Sequence, residues 1–349
     1  MDEAAVSDEP IGGGEAVARV EAGEDLSRAA MSHIVTAMLA GTIDDPTVER
    51  LLVALHAKGE SVEEIVGAAE ALRAAMMPIR TRRTDLLDTC GTGGDGSRTF
   101  NISTAAALVA AAAGAAVAKH GNRRVTSLTG SADVLAELGI RIDAPREVVE
   151  ACIDELGIGF CYAPLLHPAM KHVAAVRRSI GTPTLFNYLG PLCNPAGAVY
   201  QVLGVGKAGF AMKMAAALRQ LQAFRAIVVR GEDGLDEVTL AAETHVHLID
   251  PSGVTELRWS PASFGLKPAS TEALLVESAA ESADVIRLVL SGAHGPPRDI
   301  VVANAAAGIW LVGLEADLVA ARYRCEAAID SGKASSILSL LAHRTHREG

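Results

Sequence analysis

Apolar residues recur at helical spacing through the first quarter of the chain. Ala30, Ile34 and Met38 predict a helix over 27–40 that stops at Gly41. Pro46 sits in the first turn of a second helix, with Leu51, Leu52 and Leu55 on its inner face and Gly59 ending it. Ser61 and Glu64 form a capping box that starts a third helix, running to about Met77. From Asp85 the pattern changes. A short strand (Leu86-Leu87), a glycine-rich stretch, an alanine-rich helix from Ser103 to Ala113 and a strand ending at Lys119 make one βαβ unit. Helices are expected at 132–138, 146–156, 168–180 and 207–221, with strands at 160–162, 199–205, 226–230 and 244–249. Three helices, at 283–290, 298–313 and 316–331, close the chain. This alternation predicts an α/β fold with an added helical domain. The domain reading is a disordered tail over 1–25, a helical domain over 26–84 that a segment near 181–198 could complete, and an α/β domain over 85–345.

Composition narrows the class. The formal charge is −11, which opposes long-range attraction to nucleic acid or an anionic membrane. The first 25 residues are acidic and contain Gly12-Gly13-Gly14, unlike a secretory leader. The longest uncharged apolar run, Ala105 to Ala118, is 14 residues, too short to span a bilayer. Cys90, Cys152, Cys161, Cys193 and Cys325 are scattered and form no Cys-x-x-Cys pair. Free thiols in a reducing cytoplasm are therefore expected, rather than disulfides or a zinc site.

The candidate chemistry centres on 88–104, where Gly91-Thr92-Gly93-Gly94-Asp95-Gly96 precedes Thr99-Phe100-Asn101-Ile102-Ser103-Thr104. Glycines let backbone N–H groups converge on phosphate oxygens, and the following helix start aims its free N–H groups at the same place. A dinucleotide loop matches Gly91, Gly93 and Gly96, but the helix begins too late, and Lys119-His120 stands where a ribose-binding acid is needed. A triphosphate loop matches Gly91 and Gly96, but Ser97 replaces the required lysine.

Two further groups converge on this loop. Lys119-His120-Gly121-Asn122-Arg123-Arg124 ends the second strand of the unit, beside the glycine loop, and Ser131 is placed as the N-cap of the next helix. Asp236-Glu237 follows the strand at 226–230. Adjacent carboxylates repel unless a cation neutralises them, and magnesium commonly bridges such a pair to substrate phosphates.

Together these segments resemble the anthranilate phosphoribosyltransferase family. The resemblance extends through Gly157-Ile158-Gly159-Phe160, His167-Pro168-Ala169-Met170-Lys171, Phe186-Asn187, Leu189-Gly190-Pro191-Leu192, Asn194-Pro195 and Gly234-Leu235-Asp236-Glu237, covering about 27–335. It implies a small N-terminal helical domain and a large α/β domain with a mainly parallel central sheet, as in nucleoside phosphorylases and phosphoribosyltransferases. The implied reaction moves the phosphoribosyl group of phosphoribosyl pyrophosphate (PRPP) to the amino group of anthranilate, in tryptophan biosynthesis. A cytoplasmic homodimer is implied, with neither nucleic acid nor membrane as partner. By motif, Gly91, Gly94, Asp95, Thr99, Asn101, Ile102, Ser103, Thr104, Lys119, Ser127 and Ser131 would bind PRPP. Gly91, Asn122 and Arg177 would contact anthranilate, and Ser103, Asp236 and Glu237 would hold Mg2+, two ions per site. No covalent nucleophile or general base is assigned. Residues 124–129 depart from the family pattern, so the resemblance implies phosphate contacts there, Ser127 included, less strongly than over 91–104. A pyrimidine-nucleoside phosphorylase and a non-enzymatic nucleic-acid-binding relative are the alternatives. The former usually lacks the Asp-Glu pair and the glycine loop; the latter predicts a basic stripe.

Overall fold

The computed structural model describes residues 11–123 and 130–347. Four helices come first: α1 (Gly13–Glu21), α2 (Arg28–Leu39), α3 (Asp45–Lys58) and α4 (Val62–Ala75). Their starts follow local chemistry. Ser27, Asp44 and Ser61 accept N–H groups of their first turns, and Glu64 returns a bond to the Ser61 N–H. Glu64 is fully buried, where it also accepts from Leu26 N–H and pairs with Lys58. At Gly67 the bundle is tight, since a Cβ there would lie 2.3 Å from the Arg28 carbonyl oxygen.

The expected disordered tail over 1–25 is corrected in part. Residues 13–21 form α1, whose Ala16, Val17 and Val20 are buried in the bundle core and whose side packs on α3. Acidic composition hid an amphipathic stripe only three residues wide. Residues 1–10 of that segment lie outside the described residues.

The α/β part runs β1 (Leu86–Gly91), α5 (Ile102–Ala112), β2 (Ala116–Gly121), α6 (Ser131–Glu137), α7 (Arg146–Leu156) and β3 (Ile158–Tyr162). Then come α8 (Ala163–Leu166), a 3-10 turn at Pro168–Met170, α9 (Lys171–Ile180) and α10 (Phe186–Leu192). β4 (Tyr200–Gly204), α11 (Phe210–Gln220), β5 (Arg225–Gly231), β6 (Thr244–Asp250) and β7 (Gly253–Trp259) follow. The chain continues through α12 (Ala279–Leu290), α13 (Pro296–Leu311), α14 (Leu318–Asp330) and α15 (Lys333–Thr345). Sequence periodicity missed α15 and β7; the latter alternates too weakly, with exposed Thr255, Glu256 and Arg258.

The seven strands form one sheet in the order β3-β2-β1-β4-β5-β6-β7. The first five are parallel, and β6 and β7 add antiparallel. Strand alternation divides the interior. Leu203, Val205, Ala226 and Val228 face one core with the helical bundle and α11, whereas Val202, Ile227 and Val229 face the other with α5 and α13. Small side chains let α5 and α13 pack face to face beside the sheet, and a Cβ at Gly308 of α13 would sit 2.8 Å from Leu87.

The segment near 181–198 does join the helical layer, and the addition begins earlier, in α9. Val173 and Val176 of α9 and Leu189 of α10 share the core of α2–α4. α9 therefore brings residues of the helical layer over the carboxyl ends of the parallel strands. The sheet reverses direction of growth between β1 and β4, the crevice where open α/β sheets bind ligands.

Candidate active site

β1 and β4 end in register at Gly91 and Gly204, and both strands stop under the loop that carries Asp236. A Cβ on Gly91 would approach Asp236 Oδ2 to 2.6 Å, and one on Gly204 would meet the Asp236 carbonyl oxygen at 1.7 Å. Glycine at both strand ends thus lets a distant loop drop onto the sheet edge. Gly93 N–H donates to Asp236 Oδ2 (3.2 Å), and Asp236 N–H points to Asp95 Oδ2 (3.5 Å). Gly93, Gly94 and Gly96 take left-handed φ values of 65°, 77° and 70°, which only glycine adopts freely.

The N-cap of α5 is Asn101, whose side chain accepts from Thr104 N–H (3.1 Å); Ile102 is the first helical residue and is buried. Ser103 lies in the first turn. Its hydroxyl is reached by Lys119 Nζ (3.2 Å), its carbonyl accepts from Thr89 Oγ1 (3.1 Å), and its N–H bonds the Glu237 carboxylate. Lys119 is buried and also donates to Thr89 O (2.6 Å). Thr99 Oγ1 is 3.2 Å from Ser97 Oγ. The expected N-cap role of Ser131 is corrected: Gly130 is the cap and Ser131 the first residue of α6. The Ser131 hydroxyl fills the space beside Gly121, where a Cβ would lie 2.1 Å from it. Ser127 lies outside the described residues.

These residues line a cavity of about 600 Å³ that contains Gly91, Asp95, Thr99, Asn101, Ile102, Ser103, Lys119, Ser131, Asp236 and Glu237. Burial and repulsion from Asp95 push the Asp236 carboxyl up to about 7, and burial with repulsion from Asp236 pushes Glu237 well up. Among the described residues, no group of three or more His, Cys, Asp or Glu could hold a metal by itself. Crowded carboxylates that Lys119 and two backbone N–H groups offset only in part, beside a hydroxyl, fit a hard cation whose remaining ligands come from phosphate and water.

A second cavity, about 560 Å³, adjoins the first and shares Cys90, Gly91, Thr92, His120, Gly121 and Asn122 with it. Arg177 enters it from α9. Burial lowers its pKa, it lies over the Phe186 ring (5.4 Å), and its Nη2 donates a long bond to Asn187 Oδ1 (3.4 Å). Its Nε is buried and has no hydrogen-bond partner among the described residues. A desolvated guanidinium with a spare donor is a receptor for a carboxylate.

Two histidines in the cavity wall were not assigned from sequence. His120 Nδ1 is 2.9 Å from Gly190 O, so it carries the proton and Nε2 accepts. His167 Nε2, 3.2 Å away, must then be the donor. Burial holds His120 down at about 4 and His167 at about 3, and both rings stay neutral near pH 7. Their only sequence signal was membership in the Lys119-His120-Gly121 and His167-Pro168 segments. Cys90 is no nucleophile, because burial and the nearby Asp88 push its thiol well up. All five cysteines are free.

Fold and site define a two-part glycosyl transferase. The helical bundle domain of the glycosyl transferase family matches residues 15–76, and its α/β domain matches 83–335. The chain belongs, within that class, to the anthranilate phosphoribosyltransferase family. It is 47% identical over 328 residues to the anthranilate phosphoribosyltransferase of Rhodopirellula baltica, covering 94% of this chain and 96% of that protein. The enzyme of that name from Anaeromyxobacter dehalogenans is also 47% identical, over 95% and 98% of the two chains. The crystal structure of the Thermus thermophilus enzyme superposes with a TM-score of 0.87 at 42% identity, covering 95% and 99%. The Saccharomyces cerevisiae enzyme, in complex with PRPP and Mg, gives 0.88 at 27% identity, covering 95% and 97%. No helix among the described residues is long and apolar enough to cross a membrane.

Proposed function

We propose that this chain transfers the phosphoribosyl group of PRPP to the amino nitrogen of anthranilate, releasing pyrophosphate, as a step of tryptophan biosynthesis. One observation carries the reading: a carboxylate receptor, Arg177, lines a cavity that shares Gly91, Thr92, Gly121 and Asn122 with a glycine-lined phosphate cradle.

In this reading Gly91, Gly94, Asp95, Thr99, Asn101, Ile102, Ser103, Thr104, Lys119 and Ser131 bind the donor, with the free N–H groups of the α5 start aimed at its anionic groups. Lys119 fixes the Ser103 hydroxyl and contributes positive charge from a buried position. Ser103, Asp236 and Glu237 would hold Mg2+, two ions per site. When bound, the metal neutralises charge on the pyrophosphate oxygens.

Arg177 and Asn122 hold anthranilate so that its amine faces the anomeric carbon. The bond from that carbon to pyrophosphate oxygen breaks, and its electron pair leaves with pyrophosphate. The C–N bond forms from the opposite face, and the amine loses one proton to solvent. The His120–His167 pair stays neutral, so no imidazolium opposes positive charge building at the ribose. In the same reading the chain works in the cytoplasm as a homodimer joined through its helical domain.

The test follows anthranilate fluorescence. Purified protein with PRPP and magnesium should consume the signal, and excess EDTA should stop it. A fluorescence trace that stays flat in the complete mixture overturns the assignment.

A further inference from the structure

Three cationic side chains line the donor cavity: Arg98, Lys119 and Arg123. Two of them are already engaged. Lys119 is held by Thr89 O and Ser103 Oγ, and Arg123 pairs with Asp133 at 3.1 Å. Arg98 is exposed, and among the described residues its side chain makes no hydrogen bond or ion pair. Across the same cavity stand three carboxylates, Asp95, Asp236 and Glu237. A cation in that lining that pairs with none of these carboxylates is available to an anionic ligand.

The backbone of Arg98 is equally unusual. Its φ is 58°, the left-handed conformation that Gly93, Gly94 and Gly96 adopt without cost in the same loop. A residue with a Cβ pays for that geometry, so glycine would be the relaxed choice at this position. A strap from the C-terminal half enforces it. Val276 N–H donates to Arg98 O (3.0 Å), and Phe100 N–H donates to Leu274 O (2.8 Å). Thr99 bridges Leu275 in antiparallel fashion, and Asn101 N–H donates to the buried Ser282 hydroxyl (2.9 Å). Strain held in place by packing points to a side chain retained for its chemistry.

We propose that Arg98 is a donor-binding residue: its guanidinium, presented by the 274–282 strap, binds an anionic phosphate group of the phosphorylated donor. This rests on the phosphoribosyl-transfer reading for the ligand's identity, while the anion chemistry stands on the cavity alone. Phosphate matches a guanidinium through paired N–H donors, which a lysine does not reproduce.

The experiment compares wild type with Arg98→Gly, Arg98→Ala and Arg98→Lys. Arg98→Gly removes the cation and relieves the backbone together. The proposal expects its KM for PRPP to rise roughly tenfold or more, the KM for anthranilate to stay within about twofold, and its Tm to equal or exceed wild type. Arg98→Lys should recover part of the loss, and Arg98→Ala should match the glycine variant in KM with a lower Tm. Calorimetry in magnesium buffer with inorganic pyrophosphate and, separately, ribose 5-phosphate identifies which end of the donor is held. Weakened binding of either probe in Arg98→Gly supports the proposal. Unchanged binding of both, or an unchanged KM for PRPP, overturns it. Because the probes need no turnover, a wild-type enzyme inactive with anthranilate would sink the assigned reaction without deciding the role of Arg98.

Discussion

The carbonyl oxygen of Asp236 occupies the place where a side chain on Gly204 would begin, 1.7 Å from the position of a Cβ. The metal-binding candidate and the end of β4 are therefore one packing unit. Gly204→Ala should push the 236–237 loop off the sheet edge. We expect at least a tenfold loss of kcat, a higher magnesium requirement and a lower Tm, read by steady-state kinetics across a magnesium series and by calorimetry. A variant with wild-type magnesium dependence would separate the two residues.

Asp236→Asn removes one of three crowded carboxylates. Turnover should fall by about two orders of magnitude, while Tm measured in EDTA should hold or rise, because repulsion from Asp95 is relieved. A large Tm loss in EDTA would mean that Asp236 is chiefly structural.

Arg177 is the cation of the second cavity with a buried, unpartnered Nε. Arg177→Ala should raise the anthranilate KM more than tenfold (~1.4 kcal/mol) and leave the PRPP KM within about twofold. An unaltered anthranilate KM would remove Arg177 from the acceptor site.

The histidine pair sets a pH dependence with a definite sign. Both folded-state pKa values, about 4 for His120 and about 3 for His167, lie below the ordinary 6.5. Between these limits the unfolded chain binds more protons, so stability is complete above about pH 6.5 and is lost as pH falls toward the folded values. At pH 5 the loss should be roughly 2 kcal/mol for each histidine. Lys119, beside His120, adds to the effect, since its charge disfavours the imidazolium. Denaturant melts at pH 7.5 and 5 should show this drop, and a His120→Asn/His167→Gln double variant should flatten it.

Ser282 supports the donor loop without touching the cavity. Ser282→Ala leaves the Asn101 N–H without its partner, a cost of about 1–3 kcal/mol if the site stays dry. The PRPP KM should rise severalfold with a smaller change in the anthranilate KM. Equal changes in both would indicate general loosening.

The donor side of the site was legible early because it is local. Glycines, an Asn cap and the Ser103-Thr104 helix start lie within one short stretch, and the βαβ unit places Lys119 beside them by topology alone. Asp236 and Glu237 could be joined to that stretch because adjacent carboxylates after a strand are hard to explain otherwise. The helix α1 was read as tail because charge outweighed its three buried residues. Ser131 was read as the cap because serine suits that position better than Gly130, but tertiary packing on Gly121 took its side chain elsewhere.

Other contacts carried no local signal. Ser282 lies 181 residues from Asn101 in the chain, and a serine in the first turn of a helix resembles any other. The His120–His167 tautomers depend on a carbonyl, Gly190 O, that only folding supplies. The free cation at Arg98 emerges only after the partners of its neighbours are known. By itself the sequence determined the helical domain, the parallel βαβ frame and the phosphate cradle, because periodicity, caps and glycine freedom act over a few residues. Tertiary structure alone decided how α9 roofs the sheet edge, which carboxylates crowd together, which cations are spent and which histidine holds its proton. Those are properties of burial and distance between segments far apart in the chain, and no local pattern encodes them.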